Sequence, residues 1–313
     1  MPNGLPISAG NNPDYSSSGV NGFQPQIWSG KMIEKLYAST CFAEIANTDY
    51  EGEIKNKGDS VVIRTNPDIA INDYELGMDL TYETPESDKV EMQIDKGKYF
   101  GFRVDDVVAH QSDLKLMDNW SNDAGQQMKI QIDKVILAGA FVDVAAENAG
   151  ATAGVESVGI DMGTTGAPVA ITKADVIDVI VDAGTILDEQ NVPDTDRWIV
   201  LPAWMCALLK KSDLKDASMT GDGTSPLRNG RIGMIDRFMV YQSNNLAKTV
   251  DGATTVTNVI FGHKKALTFA SQMTKMEELP HPTKFGRLVR GLNVFGSKVI
   301  DPKAIGHLYC YKG

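Results

Sequence analysis

The chain has 313 residues, with 41 acidic against 30 basic side chains and a formal charge of −11. That length holds two modest domains or one elaborated one around a real core, and the acidic balance repels a phosphate backbone, which argues against a sequence-reading nucleic-acid binder. The longest apolar run, residues 135–146, is interrupted by Asp143 and falls short of the ~20 residues a membrane-spanning helix requires, so no membrane partner is expected. The opening MPNGLPISAGNN has neither the charged start nor the apolar stretch of a secretory signal.

Residues 1–26 are rich in Gly, Asn, Ser and Pro and carry too few apolar side chains to pack alone. Residues 27–46 read as a short amphipathic helix through Ile33, Leu36 and Tyr37. From 49 to 98, β-rich runs alternate with turn clusters. VVIRT at 61–65 and KVEMQI at 89–94 are strand-like, and the stretch between them is too polar to build a core and is expected to project. Residues 49–98 hold 13 Asp or Glu against 6 Lys or Arg, so this projection is acidic. The alternative is a solvated loop whose charges serve solubility.

The organising element is a long helix across 112–147. Apolar residues recur at Met117, Trp120, Ala124, Met128, Ile132, Val135 or Ile136, and Val142, and proline is absent. At ~1.5 Å per residue, such a helix is a rod of roughly 50 Å. Two helices broken near Gly125 or Gly139 are the other reading.

The remaining half reads as α+β. Thr172 and Asp175 have capping-box spacing ahead of Val176, Ile180, Ala183 and Leu187, a helix that stops before Pro193. RWIVL then forms a buried strand, 203–211 a short helix, and GDGTSPLRNG a loop of turn formers. Strands through Met239, Val259 and Phe269 follow, and LVRGLNVFG with SKVI closes the chain as sheet strands.

The catalytic and ligand motifs fail on physical grounds, so no catalytic residue, metal site or cofactor is expected. GLNVFGSK at 291–298 lacks the order Gly, Lys, hydroxyl that a phosphate-cradling loop needs. Asp105 and Asp106 are adjacent and on a strand would face opposite sides, so helix capping suits them better. His110, His263, His281 and His307 have no metal-ligand spacing, and no GxSxG elbow occurs. Cys41, Cys206 and Cys310 are scattered and read as buried or inert thiols.

Five blocks carry a resemblance: KGDSVVIRTNP, IDKGKYFGFRVDDVVAHQ, DTDRWIVLP, GDGTSPLRNGRIGMIDRFMVYQSNNL and FGHKKALTFA. In this order and spacing, from about Trp28 to about Leu308, the chain resembles the major capsid proteins of tailed bacteriophages, the Hong Kong ninety-seven type. One departure stands at Arg237, where the family often has Gly, so the turn before Phe238 is expected to differ.

The resemblance implies an α+β capsid fold. Its parts are an N-terminal arm and short helix (1–46), an extended β-hairpin loop (47–100) and a peripheral domain with the spine helix (101–150). An axial domain (151–265) and C-terminal strands returning to the peripheral domain (266–313) complete it. It implies a shell subunit that self-assembles as pentamers and hexamers into the icosahedral head of a double-stranded DNA phage or prophage, in the host bacterial cytoplasm, and resides in the virion. A separate scaffolding protein is expected, since no charged helical region precedes the arm, together with a portal, a decoration protein, and packaged DNA bound without sequence specificity. The acidic residues Asp73, Glu75, Asp79, Glu83, Glu86 and Asp88 are candidate contacts to Arg228, Arg231, Arg287 and Arg290 of a neighbouring subunit. Nothing pairs a lysine of this region with an asparagine, so a non-covalent shell is expected. An encapsulin-like compartment shell and a cytoplasmic α/β enzyme are the rival readings.

Overall fold

The computed structural model describes residues 38, 40–49, 60–64, 67, 69–85, 89–105, 116–212 and 233–313. The expected arm therefore lies outside the described residues, as do the GDGTSPLRNG loop and most of the helix expected over 27–46. Within 38–46, only Phe42–Ile45 (α1) is helical, a single turn that ends as Ala46 swings to an extended conformation. Asn47 then bridges to Thr268, giving its carbonyl to the Phe269 N–H at 2.9 Å.

Ser60–Arg64 (β1) and Lys89–Gln93 (β2) pair antiparallel, with Ile63 opposite Val90 and Val61 opposite Met92. Met92 and Ile94 are buried with Ala270, so the base of this hairpin is anchored by its own small core. Lys96–Val104 (β3) follows directly. The long helix, Leu116–Ala140 (α2), is continuous through Gly125 over 25 residues, about 38 Å at the α-helical rise. It ends earlier than the sequence pattern suggests. Gly139 weakens the last turn, the Val142 N–H bonds back to the Gly139 carbonyl at 3.3 Å, and Val142, counted in the apolar stripe, is exposed. Ile132, Ile136, Leu137 and Ala140 form the buried stripe, and Trp120 meets Phe102 of β3 edge to face at 5.8 Å.

Two larger sheets share one apolar core. The remaining elements are Val169–Ile171 (β4), Val176–Glu189 (α3), Arg197–Leu201 (β5), Ala203–Lys211 (α4), Met234–Ile235 (β6), Phe238–Gln242 (β7), Lys248–Asp251 (β8), Thr254–His263 (β9), Leu267–Pro280 (β10), Arg287–Val299 (β11) and Ile305–Lys312 (β12). A three-stranded antiparallel sheet has the order β10-β11-β3, and a seven-stranded mixed sheet the order β4-β12-β9-β5-β7-β6, with β8 on β9. The core cluster runs through α2, α3, α4 and both sheets. β5 is buried at every position, which is why RWIVL is apolar without alternation. Val176, Ile180, Ala183 and Leu187 are buried on α3 as their spacing predicts. The Thr172 hydroxyl does meet the Asp175 carboxylate, but in the turn ahead of the helix, and Asp175 makes no side-chain cap.

The strands of 266–313 divide between the sheets. β10 and β11 belong to the three-stranded one, whereas β12 lies in the seven-stranded one between β4 and β9. Its residues are buried on both faces, the environment of an interior strand. Close approach there depends on glycine: a Cβ on Gly262 would stand 2.7 Å from the Ala304 carbonyl oxygen.

The turn before Phe238 is left-handed at both of its residues. Asp236 and Arg237 link β6 to β7 with φ of 45° and 64°, the two-residue left-handed turn that ordinarily selects Asn-Gly. Arg237 gives up conformational ease there and gains an ion pair with Asp188 of α3 at 2.6 Å. Asp188 also holds the buried Arg197 at 2.7 Å. Burial pushes the Asp188 carboxyl up, but hydrogen bonds from Arg237 and Arg197 outweigh it and leave it below the usual carboxylate range.

Glycine substitutions separate these environments. Gly262→Ala is expected to lower unfolding free energy by about 1–3 kcal/mol, because backbone must move. Gly125→Ala, whose Cβ meets nothing within 4 Å, is expected to raise it by roughly 0.5–1 kcal/mol by favouring the helix. Denaturant unfolding of the two variants measures both.

Candidate assembly surfaces

Residues 69–85 form a loop that the other described residues do not cover. A turn at Leu76–Gly77, with Gly77 at φ 88°, divides it into two limbs. Two described hydrogen bonds brace it: Ala70 N–H to the Glu83 carboxylate at 2.7 Å and Met78 N–H to the Glu75 carbonyl at 3.2 Å. Ile69, Ile71, Tyr74, Leu76, Met78, Leu80 and Tyr82 are all exposed, Ile71 to 92% and Leu76 to 98%. A contiguous apolar set of this kind marks an interaction surface. Asp73, Glu75, Asp79 and Glu83 lie among them, and residues 69–85 contain no Lys or Arg. The sequence reading found the charge and missed the apolar content. The available signal was the alternation Met78, Leu80, Tyr82 against Asp79, Thr81, Glu83.

The three-stranded sheet offers a second surface. One face carries Phe100 and Phe102 toward α2, and the other exposes Tyr99 and Arg103 on β3 with Leu292 and Arg290 on β11. Beyond β3, the β10–β11 hairpin runs on to a tip at 281–286. There the His281 ring nitrogen Nδ1 accepts the N–H groups of Thr283 and Lys284 at 3.1 and 3.0 Å, and Phe285 stands 86% exposed.

The candidate contact residues fall unevenly on this framework. Glu86, Asp88, Arg228 and Arg231 lie outside the described residues. Arg287 meets Glu278 at 2.7 Å, and the Arg290 Nε donates to Glu277 at 2.8 Å, both within the β10–β11 hairpin. Hydrogen bonds from Lys275 and Arg290 hold the Glu277 carboxyl below its usual range. Both arginines are engaged with acidic partners on their own hairpin, so a neighbour's loop would exchange one exposed ion pair for another, each worth about 0.2–1 kcal/mol.

Three interior polar groups escaped the sequence reading because their partners are distant in the chain. Asp133, fully buried on α2, accepts the Cys41 and Phe42 N–H groups at 3.0 and 2.9 Å and the Asn245 amide at 2.7 Å. Asn148 donates to the carbonyls of Lys303 and Ile305 at 2.6 and 2.9 Å. His307 stacks on Phe141 at 5.1 Å, just past the end of α2, and its Nε2 donates to the Asn258 side-chain oxygen at 3.0 Å. Burial lowers the His307 pKa to about 4, so the ring is neutral at pH 7.

Catalytic geometry does not emerge from these groups. Burial pushes the Cys206 thiol up to about 11 and Cys310 to about 12, and raises Cys41 as well, so all three thiols are unreactive at neutral pH. Asp105 lies 3.8 Å from Arg103, and Asp106 is outside the described residues. Lys298, in the near-miss phosphate loop, is engaged with Asp143 at 2.7 Å. Among the described residues, no three His, Cys, Asp or Glu side chains are grouped to hold a metal, and no helix is long and apolar enough to cross a membrane. A cleft of about 440 Å³ between β2, the end of α2 and β11 is lined by Glu91, Asp95, Lys96, Asp143, Ser297 and Lys298, where the Lys96 ammonium donates to the Ser297 hydroxyl at 2.9 Å and Lys298 is paired with Asp143.

Comparison with known proteins points the same way as these surfaces. The profile of a family described as phage capsid protein matches residues 88–308. Among solved structures, a chain from Mycobacterium phage Che8 is similar at a TM-score of 0.75 and 28% identity, covering 92% of this chain and 97% of that one. The capsid structure of cyanophage P-SCSP1u gives a TM-score of 0.71 at 17% identity, covering 92% and 93%. The capsid of a native GTA particle gives 0.64 at 16% identity, covering 96% and 99%. These last two likenesses bear on fold alone. Curated proteins yielded no significant match.

His307 generates a pH prediction. Its folded pKa lies below the unfolded value of 6.5, so as pH falls the unfolded chain takes up the proton first. Its contribution is intact above about pH 6.5 and is lost progressively toward pH 4, by roughly 3 kcal/mol at most. His307→Asn should be less stable at pH 7 and show a flatter stability profile between those values in denaturant titrations.

Proposed function

The chain belongs to the phage capsid protein family, and from that premise we propose how its surfaces build a shell. It is a major capsid protein, a structural subunit of a virus shell with the Hong Kong ninety-seven-like fold; the compartment-shell and enzyme readings are not favoured. In our reading, α2 with the three-stranded sheet forms the peripheral domain. The seven-stranded sheet with α3 and α4 forms the axial domain, which meets its copies around five-fold and six-fold positions. Pentamers and hexamers close an icosahedral head around double-stranded DNA, which a subunit of net charge −11 encloses without sequence-specific binding. A separate scaffolding protein and a portal serve assembly in the host cytoplasm. The protein is structural and performs no catalysis.

The observation that carries the assembly reading is the loop at 69–85, whose exposed apolar side chains need a surface that the other described residues do not supply. We assign that surface to the peripheral domain of a neighbour. Asp73, Glu75, Asp79, Glu83, Glu86 and Asp88 face its basic residues, with Arg228, Arg231, Arg287 and Arg290 the contacts first inferred. Each exposed pair contributes about 0.2–1 kcal/mol, and the sum over many copies holds the lattice.

Electron microscopy of the protein with its scaffolding partner is expected to show closed shells. A chain carrying Asp73, Glu75, Asp79 and Glu83 all changed to Lys is expected to form fewer shells, with the deficit greatest at low salt where screening is least. A wild-type chain that stays monomeric under all assembly conditions contradicts the assembly reading. An assembly yield unaffected by the fourfold reversal contradicts the loop's role.

A further inference from the structure

The open side of α2 differs in chemistry from the rest of this acidic chain. Between 122 and 134, about 18 Å of helix, the exposed positions are Asn122, Gln126, Gln127, Lys129, Gln131 and Lys134: four amides and two lysines, with no acid and no apolar group. Both acids of that span are withdrawn. Asp133 is buried against Cys41, Phe42 and Asn245, and Asp123 is half-buried and engaged. Among the described residues, neither lysine is ion-paired. An acid-free face is not a general property of these helices, since α3 exposes Asp178, Val181 and Asp188.

Such a face suits phosphate better than protein. Lys, Asn and Gln side chains are among the donors that meet phosphate oxygens, and those contacts carry no sequence information. A docked protein needs aromatic or aliphatic anchors, and the exposed set supplies none. Trp120, just ahead of the span, packs on Phe102 of β3 instead. The subunit contacts assigned above use the loop at 69–85 with Arg287 and Arg290 of the β10–β11 hairpin, so they leave this side of α2 open.

We propose that the open side of α2 lines the inside of the shell and touches packaged duplex DNA at its phosphates. This rests on the reading of the chain as the wall of a DNA-filled head, and it names the part of the wall that the genome meets. A net charge of −11 keeps the duplex off the wall while the head is sparsely filled. As packing presses DNA to within a Debye length, about 8–10 Å, the local Lys129 and Lys134 outweigh more distant acids, which salt screens. The neutral amides add hydrogen bonds without adding charge. Two cations per subunit release few counterions, so the contact is weak and leaves the genome free to slide as it enters and leaves.

Lysine acetylation of wild-type heads, read residue by residue by mass spectrometry, tests this without substitution. Lys129 and Lys134 are expected to react roughly threefold or more slowly in DNA-filled heads than in heads emptied of DNA. Lys173 and Lys248, exposed beside the seven-stranded sheet, are expected to keep their rates. In parallel, Gln127→Cys and Gln131→Cys each carry a tethered iron chelate that cleaves nearby DNA strands, while the buried native cysteines stay unlabelled. Cleavage of packaged duplex from both positions, without sequence preference and above that from Asp178→Cys on α3, supports the contact. Equal lysine rates in filled and emptied heads, or cleavage no greater than from Asp178→Cys, overturns it while leaving the capsid reading in place. Protection present in scaffold-filled shells and lost once DNA replaces the scaffold makes the scaffolding protein the occupant, and overturns it too. A wild-type chain that forms no shells defeats this inference together with the capsid reading. Should only the cysteine variants fail to assemble, the lysine comparison decides alone.

Discussion

Asp133 lies wholly out of solvent in a 25-residue helix, and three parts of the chain meet through its carboxylate. One oxygen receives the N–H groups of Cys41 and Phe42, fixing the segment that enters the subunit, and the other receives the Asn245 amide from the loop after β7. Taking a carboxylate out of water costs several kcal/mol, and hydrogen bonds in a dry site offset that cost only when geometry is good, which these distances satisfy. Apolar side chains could hold α2 against the same core with less risk. A carboxylate with three N–H donors and the Cys41 thiol instead permits one arrangement of helix, entering segment and seven-stranded sheet.

The subunit is rigid where it meets itself and unfinished where it meets others. At the far end of α2, the Phe141–His307 stack, the Asn148 hydrogen bonds and the Lys298–Asp143 pair fasten the helix exit to 298–307. Asp188 fastens α3 to β5 and to the β6–β7 turn. Against this, the loop at 69–85, the face around Tyr99 and the tip at Phe285 expose large apolar groups with little support from their own chain. In an assembly of many copies these need not be individually strong, because closure sums them.

The local patterns were legible in the sequence. β-rich runs set between turn clusters located β1 and β2, and their pairing followed from a hairpin that projects. The spacing of Val176, Ile180, Ala183 and Leu187 located α3, and RWIVL announced a strand buried on both faces. The resemblance marked Arg237, where the backbone proves left-handed at two successive non-glycine residues. What failed depended on distance along the chain. The end of α2 was misjudged because an apolar stripe says nothing about where Gly139 lets a helix stop. β12 was assigned with its sequence neighbours, whereas its partners are β4 and β9. Asp133 escaped notice because an acid beside an apolar stripe is a pattern shared with many solvated side chains. The loop's apolar residues were hidden by their acidic neighbours, although their alternation was visible.

The measurement that bears most directly on this account is hydrogen exchange and shell assembly for Asp133→Asn, which keeps the side chain's shape and replaces one acceptor oxygen with a donor. The account predicts a folded core, fast exchange at the Cys41 and Phe42 amides, a loss of stability of about 3–5 kcal/mol and impaired shells. Unchanged protection of those two amides together with normal shells would contradict the claim that this carboxylate sets how the subunit's parts meet.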